Sequence, residues 1–486
     1  MQQYYSVVKN PSAVWVNRLM IQPRIDSQYY RTDFVENEYK IEQIGCEKLG
    51  EIIERGDYGV LPDSEDYCEK GVPLIRGTNL RDLTIDDKEV IRVPKDYLTS
   101  KSEIQHRDIL ILIKGATIDA EWSVAIVPNI RESMIYNGSI FRVRVKTGYD
   151  PYYITAFMST KYFLLQKTRA ISNTGIYYND KNSLENFMIA IPSPEIQKYI
   201  GDKVRRAEEL REEAKRLKEE AELVLKEQLL LDKTESLYNN NAGNPSLEFN
   251  KYPIKIFVNP SDITTRLDAK SYHPEFYETL NYLQNNNFRT KVLKDMLEDY
   301  GTGISSPRYA DSGTKILMTK NLKNDTIDLD CKRVDAKIDP KMRVNVEDVL
   351  VTTYGGPSIG KVDIFTSNEE CVFDYTILKM RFTKDYNPYF MTLLLRSKLI
   401  QNQMRNLIKG TTGITFIIPT EILDIQIPII EKSIQDEIGM LYQHSLKCIE
   451  IGKQLIQQAK QDVEDLIEGK FDTSKLNNDS STESRC

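Results

Sequence analysis

Two stretches of the chain carry short aliphatic and β-branched runs punctuated by Gly, Asn and Asp. In the first these are Asp108–Ile113, Ser123–Val127 and Ile140–Val145; in the second, Val349–Thr353, Lys361–Phe365 and Thr376–Phe382. Such runs predict strands of a curved, mostly antiparallel sheet. Each set is followed by a Pro-Tyr pair that opens a short predicted helix, Tyr152–Thr168 and Tyr389–Lys409, with proline in the first turn where it is tolerated. The apolar period then lengthens. Ala207, Leu210, Ala214, Leu217, Ala221 and Val224 recur at alternating spacings of three and four. So do Ile434, Ile438, Leu441, Ser445, Cys448, Gly452, Leu455, Ala459 and Val463, with a final step of four. These are heptad seams of two long helices, with charges such as Glu208, Glu209, Arg211 and Glu212 off the seam. A helix of about 37 residues spans about 55 Å. Small residues on the seam allow close approach, and one helix per set predicts that the two pair with each other, antiparallel.

The two sets are copies. Val16-Asn17, Arg24-Ile25-Asp26 and Tyr30 return as Val258-Asn259, Arg266-Leu267-Asp268 and Tyr272; Gly71–Leu80 returns as Gly313–Leu322, all at an offset of 242. Asp108-Ile109-Leu110 matches Asp348-Val349-Leu350, and Asp150-Pro151-Tyr152-Tyr153 matches Asn387-Pro388-Tyr389-Phe390. Thr174-Gly175-Ile176 matches Thr412-Gly413-Ile414, and Ile191-Pro192 with Gln197 matches Ile427-Pro428 with Gln435. The order is kept while the offset drifts only to 236, the mark of an internal duplication.

Composition adds limits. Six scattered cysteines without a CxxC pair, and three isolated histidines, argue against structural zinc, a His-based metal centre and a disulfide framework. The longest aliphatic run, Ile109–Ile113, is too short to span a membrane, and Met1–Asn10 shows no secretory pattern, so a cytoplasmic protein is expected. The net charge of −7 is uneven. Residues 195–235 hold 10 basic and 12 acidic residues, and residues 431–472 hold 5 and 9, which leaves the rest near neutral and open to a basic face.

Two motifs tempt and fail. Asn387-Pro388-Tyr389-Phe390 lacks the second proline of an amino-methyltransferase loop, and its counterpart begins with Asp150, so a structural role at a helix start is expected. Gly355–Lys361 fits the start of a P-loop, but Val362 stands where the magnesium-binding hydroxyl belongs and a strand follows. What recurs is three loops. Arg76, Thr78 and Asn79 face Thr319, Lys320 and Asn321 in the alignment; Lys114 and Thr117 face Tyr354, Ser358 and Lys361; Thr174, Tyr177 and Tyr178 face Lys409, Thr412 and Thr415. Such side chains suit phosphates and base edges, although Gly, Asn and Thr also favour turns for backbone reasons.

The duplicated order resembles the specificity (S) subunit of type I restriction–modification enzymes, the HsdS family. It runs from Arg24/Asp26 and Arg266/Asp268 through Leu49–Ile53 and Leu293–Leu297, the stretch from Gly to Asn-Leu (Gly71–Leu80, Gly313–Leu322) and Ser358–Val362. It ends in Thr-Gly-Ile and Gln197/Gln435, covering about residues 14–471. The resemblance implies an α+β chain of two tandem target-recognition domains, residues 1–194 and 257–430. It implies long helices at 195–232 and 431–471, which space the domains as an antiparallel coiled coil; residues 233–256 read as a linker and 472–486 as a disordered tail. It further implies a non-catalytic subunit that binds double-stranded DNA at a bipartite, asymmetric site. Its partners would be two methyltransferase (M) subunits, with restriction (R) subunits joining, and partner docking would fall to the helices carrying Ala207, Leu210, Ala214, Leu217, Ala221, Leu441, Leu455 and Ala459. S-adenosylmethionine, ATP and Mg are expected on those partners and no cofactor on this chain. The alternatives are a specificity module of another bacterial modification or phage-defence system, a stand-alone DNA-acting enzyme, and a coiled-coil scaffold with no DNA role.

Overall fold

The computed structural model describes residues 26–86, 90–171, 177–231, 237, 257, 260, 263, 272, 274–335, 339–410 and 415–478. Packing divides the chain into two compact units, Met1–Glu212 with Cys448–Cys486 and Glu213–Lys447, called units 1 and 2 below. The class is α+β with mostly antiparallel sheets.

In unit 1, strand Ile140–Val145 pairs on one side with Ile53–Tyr58 and on the other with Ile109–Leu112, which pairs in turn with Val124–Ile126, all antiparallel. Strand Ile109–Leu112 is aliphatic without alternation because both its faces are covered. Ile109 and Ile111 join the core under the helices, while Leu110 and Leu112 join a second core with Ile75, Leu80 and Tyr136. Unit 2 repeats the sheet strand for strand: Leu297–Thr302, Ile377–Phe382, Val349–Thr352 and Val362–Ile364, in the same order and sense. A second sheet repeats too. Val72–Ile75 runs parallel to Ile135–Tyr136 in unit 1, as Thr314–Leu317 does to Cys371–Phe373 in unit 2.

The short helix after each Pro-Tyr is two helices, Pro151–Met158 with Lys161–Arg169, and Pro388–Arg396 with Lys398–Asn406. The chain leaves helical geometry between them, at Thr160 (ψ 161°) and Ser397 (ψ 147°), which the sequence reading ran through as one helix. The rejected Asn-Pro-Tyr motif is a helix start, as expected. Asp150 and Asn387 are the N-caps, each accepting from the next-but-one and following amide: Tyr152 and Tyr153 at 2.8 and 3.3 Å, Tyr389 and Phe390 at 3.0 and 3.2 Å.

The long helices span Pro194–Gln228 and Lys432–Ile467, and each contributes one half to each unit. In unit 1, Lys203 pairs with Asp462 and the Ala207 backbone approaches Gly452, so the two run antiparallel. In unit 2, Ser445 Oγ donates to Ala214 O at 2.7 Å, and further along Lys218 and Tyr442 both bind Asp325. Both N-caps seat on these helices. A Cβ at Gly201 would lie 2.8 Å from the Asp150 carboxylate, and one at Gly439 would lie 2.3 Å from Asn387 Oδ1. The recurring glutamines complete the joint. Buried Gln197 accepts from Asp150 N and donates to Pro192 O, and buried Gln435 does the same with Asn387 N and Ile430 O. The shared motifs of the two copies are thus joints between sheet domain and long helix.

Candidate nucleic-acid interface

The first of the three recurring loops is a single 3-10 turn, Gly77–Asn79 and Thr319–Asn321. Asn79 Oδ1 accepts from Arg76 N (3.0 Å) and its Nδ2 donates to Asp86 O (3.2 Å); Asn321 repeats this with Met318 N (3.0 Å) and Asp328 O (3.0 Å). Both asparagines are buried. The amides of Asn79 and Asn321, expected at the DNA, are engaged with backbone and hold the turn that displays Thr78 and Lys320, which are exposed.

The second and third loops are joined in both units. Lys114 and Tyr178 form an antiparallel bridge, with Gly115 N donating to Tyr177 O at 3.1 Å; Tyr354 and Phe416 form the same bridge, with Gly355 N donating to Thr415 O at 3.0 Å. The glycines lie at φ +120° and +93°, the left-handed region a side chain rarely adopts. The first loop meets this assembly in unit 2 through hydroxyls. Thr319 Oγ1 lies 2.9 Å from Thr376 Oγ1, and Thr353 Oγ1 donates to Thr376 O at 3.0 Å. In unit 1, Gly77 packs against the Leu112 side chain, and Asn137 N donates to Ile75 O at 2.8 Å.

Thus Arg76, Thr78, Lys114, Tyr177 and Tyr178 gather at one edge of unit 1, and Thr319, Lys320, Tyr354, Lys409 and Thr415 gather at the matching edge of unit 2. Thr117 is exposed on the Lys114 loop. Ser358 and Lys361 lie on the turn that returns to Thr352, where Lys361 N donates to Thr352 Oγ1 at 3.1 Å. Lys409 is ion-paired with Glu421, which tempers its charge toward a phosphate. Thr174 and Thr412 lie outside the described residues.

Buried charges brace the strands behind both edges. Arg144 clasps Asp108 through two bonds of 2.7 and 2.8 Å, and Arg381 clasps Asp348 at 2.7 and 2.9 Å. Hydrogen bonding to the carboxylate raises the pKa of each guanidinium. One step away, fully buried Arg142 binds Asp57 (2.6 Å) and Glu103 O, while Lys379 binds Asp299 (2.9 Å) and Lys341 O. Burial works against ionisation of Asp57 and Asp299, but hydrogen bonds from Arg55 and Arg142 to Asp57, and from Lys379 to Asp299, leave both carboxyls below their ordinary pKa. The pairs hold the strands together partway along and at the ends away from the loops, and so steady the sheet that carries them.

Sequence reasoning missed two exposed rings at these edges, Tyr58 and Tyr375. Tyr58 accepts from Tyr178 Oη at 3.2 Å and stands edge-on to Phe141. Tyr375 packs edge-on against Tyr354, which stacks on Phe416, with both centroid distances 5.8 Å. The offset of 242 pairs Tyr58 with Tyr300, but the strand register sets Tyr300 level with Gly56, so the sequence carried no true signal for this ring.

The seam residues expected at partner docking face inward. Ala207, Leu210, Ala214, Leu217, Ala221 and Ala459 are buried inside the units, and Leu441 and Leu455 are half-buried beside buried Tyr442 and Ile456. The surface that the first long helix displays carries Arg206, Glu209, Glu212, Arg216, Glu219 and Glu220. No helix among the described residues is long and apolar enough to cross a membrane.

No family model matches the chain, and no curated protein matches it. Solved structures do. The type I restriction–modification S subunit from M. genitalium aligns at 10% identity over 88% of this chain and 96% of its own, with a TM-score of 0.42. The HsdS subunit from Thermoanaerobacter tengcongensis aligns at 13% identity over 87% and 96%, with a TM-score of 0.28. A chain from a type I restriction–modification assembly aligns at 14% identity over 88% and 97%, with a TM-score of 0.29. The chain is similar to the proteins that its motif order resembles.

Proposed function

We propose that this chain is a non-catalytic specificity subunit of the type I restriction–modification kind, which recognises a bipartite, asymmetric site in double-stranded DNA. One observation carries the reading: the same sheet, with the same bridged loops at the same edge, occurs twice, while the exposed chemistry of those loops differs. Lys114 in unit 1 stands where unit 2 has Tyr354, Tyr178 where it has Phe416, and Thr78 where it has Lys320. Equivalent scaffolds bearing unlike side chains suit two unlike half-sites. Residues 1–194 and 257–430 are the two recognition domains in this reading. The charged faces of the long helices, not their seams, are the surfaces for methyltransferase subunits, and methyl transfer and cleavage belong to partners.

Sequencing the modified bases in a host that carries this chain with its neighbouring genes tests the proposal. A methylated, split, non-palindromic motif is the expected result. A palindromic motif, or turnover of DNA by the pure chain with magnesium and S-adenosylmethionine, overturns it.

A further inference from the structure

The loop edge of unit 2 differs from that of unit 1 in one respect that bears on what it reads: its centre is aromatic. Tyr354 stacks on Phe416 at an interplanar angle of 19°, and Tyr375 closes edge-on at 67°. In unit 1 the matching positions are Lys114, Tyr178 and Gly138. The last is aligned by the backbone bonds Asn137 N to Ile75 O and Asp374 N to Leu317 O in the residue just before each. Gly138 is roofed by Leu61, whereas Tyr375 is 43% exposed.

The rings are held before any ligand arrives. Gly355 N and Thr415 O lock the Tyr354 and Phe416 strands together. Tyr375 N donates to Ile304 O at 3.1 Å, and Thr376 N donates to Asp374 Oδ1 at 3.0 Å in a small turn. Rigid aromatic side chains lose little freedom on contact, so such a patch is prepared for binding. Its flanks are cationic. Lys320 is exposed beside Thr319, whose hydroxyl meets Thr376, and Lys361 lies at the far end of the Tyr354 loop. Among the described residues neither ammonium pairs with a carboxylate. Cations at the margin suit a phosphate backbone, and an apolar centre suits the feature of the major groove that offers no hydrogen bond, the thymine C5 methyl.

We propose that Tyr354, Tyr375 and Phe416 read thymine through its methyl group in the half-site bound by unit 2. This rests on the recognition function proposed above and names the base chemistry that one of its two edges takes. In unit 1 the lysine at the position of Tyr354 has no such use, so thymine methyls in that half-site do not pass through the equivalent position.

The test uses the full chain copurified with the methyltransferase from its neighbouring gene. Bound duplexes are selected from a random pool, and each thymine of the selected site is then replaced by uracil, which lacks only the methyl. Loss of about fourfold in affinity per contacted thymine, the weight of one buried methyl, is expected in one half-site. That loss is expected to vanish in Tyr375→Ala and in Tyr354→Ala. Tyr375 is exposed, so its truncation spares the core, and binding to the other half-site serves as the folding control. A selected split site that is indifferent to uracil at every position, or sensitive equally with and without the rings, overturns this inference alone. Failure to select any sequence overturns the recognition function and this inference with it.

Discussion

Replacing Asn79 with alanine separates a residue that holds a turn from one that reads a base. The side chain makes two bonds to backbone atoms, to Arg76 N and Asp86 O, from a buried position. Alanine leaves a partly buried donor and a partly buried acceptor unmet, at about 1–1.5 kcal/mol each, and so costs about 2–3 kcal/mol in all. For a domain of about 150–250 residues that lowers the melting point by about 5–10 °C. The sequence supplies the assay. Its only tryptophans are Trp15, outside the described residues, and Trp122, within unit 1, so in a Trp15→Phe background tryptophan fluorescence follows that unit alone while circular dichroism follows the whole chain. Asn79→Ala is expected to shift the fluorescence transition, and Asn321→Ala to shift only the dichroism. Asn79→Asp keeps the acceptor and is expected to lose about half as much. Unchanged melting, combined with altered base preference at one position of the DNA site, refutes the turn assignment and restores Asn79 as a reader.

Other expectations follow from the same geometry. Lys167 is fully buried, with Nζ 2.8 Å from Ser123 Oγ, and burial lowers its pKa from 10.5 to about 7. The unfolded chain then holds a proton that the folded chain has shed. Stability is therefore fully present above pH 10.5 and lost as the pH falls through about 7, by up to about 5 kcal/mol; Lys167→Met is expected to flatten the fluorescence-detected urea midpoint between pH 6.5 and 9. Arg396 holds Asp325 and Asp363 at 2.6 Å each inside unit 2, beside Tyr442; Asp325 keeps Lys218 and Tyr442, but Arg396→Met leaves the buried Asp363 carboxylate without a cation and is expected to cost about 3–5 kcal/mol by dichroism, with tryptophan fluorescence unmoved. Gly439→Ala pushes a methyl into Asn387 Oδ1 and is expected to cost about 1–3 kcal/mol through the lost helix cap, read as a lower urea midpoint.

The duplication was legible because joints repeat. Asp150/Asn387, Gln197/Gln435 and the asparagines Asn79/Asn321 recur in sequence because each must satisfy the same backbone atoms in both copies. For the same reason the asparagines invite a DNA reading from sequence. A polar residue shared by both copies looked like a shared contact to DNA, whereas a shared need points to the scaffold and a difference points to the reader. Arg142 and Lys379 sat unnoticed inside strands, since their partners Asp57 and Asp299 lie about 80 positions earlier and no local pattern links them. The heptad seam of the first long helix was read correctly to Ala221 and then slipped: Leu225 and Leu229 are buried, and Val224 only partly. A helix with 3.6 residues per turn drifts off a 3.5-residue repeat unless it supercoils.

The way the long helices are divided has a consequence for biosynthesis. Val204 and Ala207, made early, bury themselves against Ile456, Ala459, Val463 and Ile467, made last, whereas every segment of Glu213–Lys447 is available once that stretch has been synthesised. The ribosome therefore delivers the first module unfinished. Its apolar helix face waits in the open through the translation of more than two hundred further residues, and the module begun first is the one completed last.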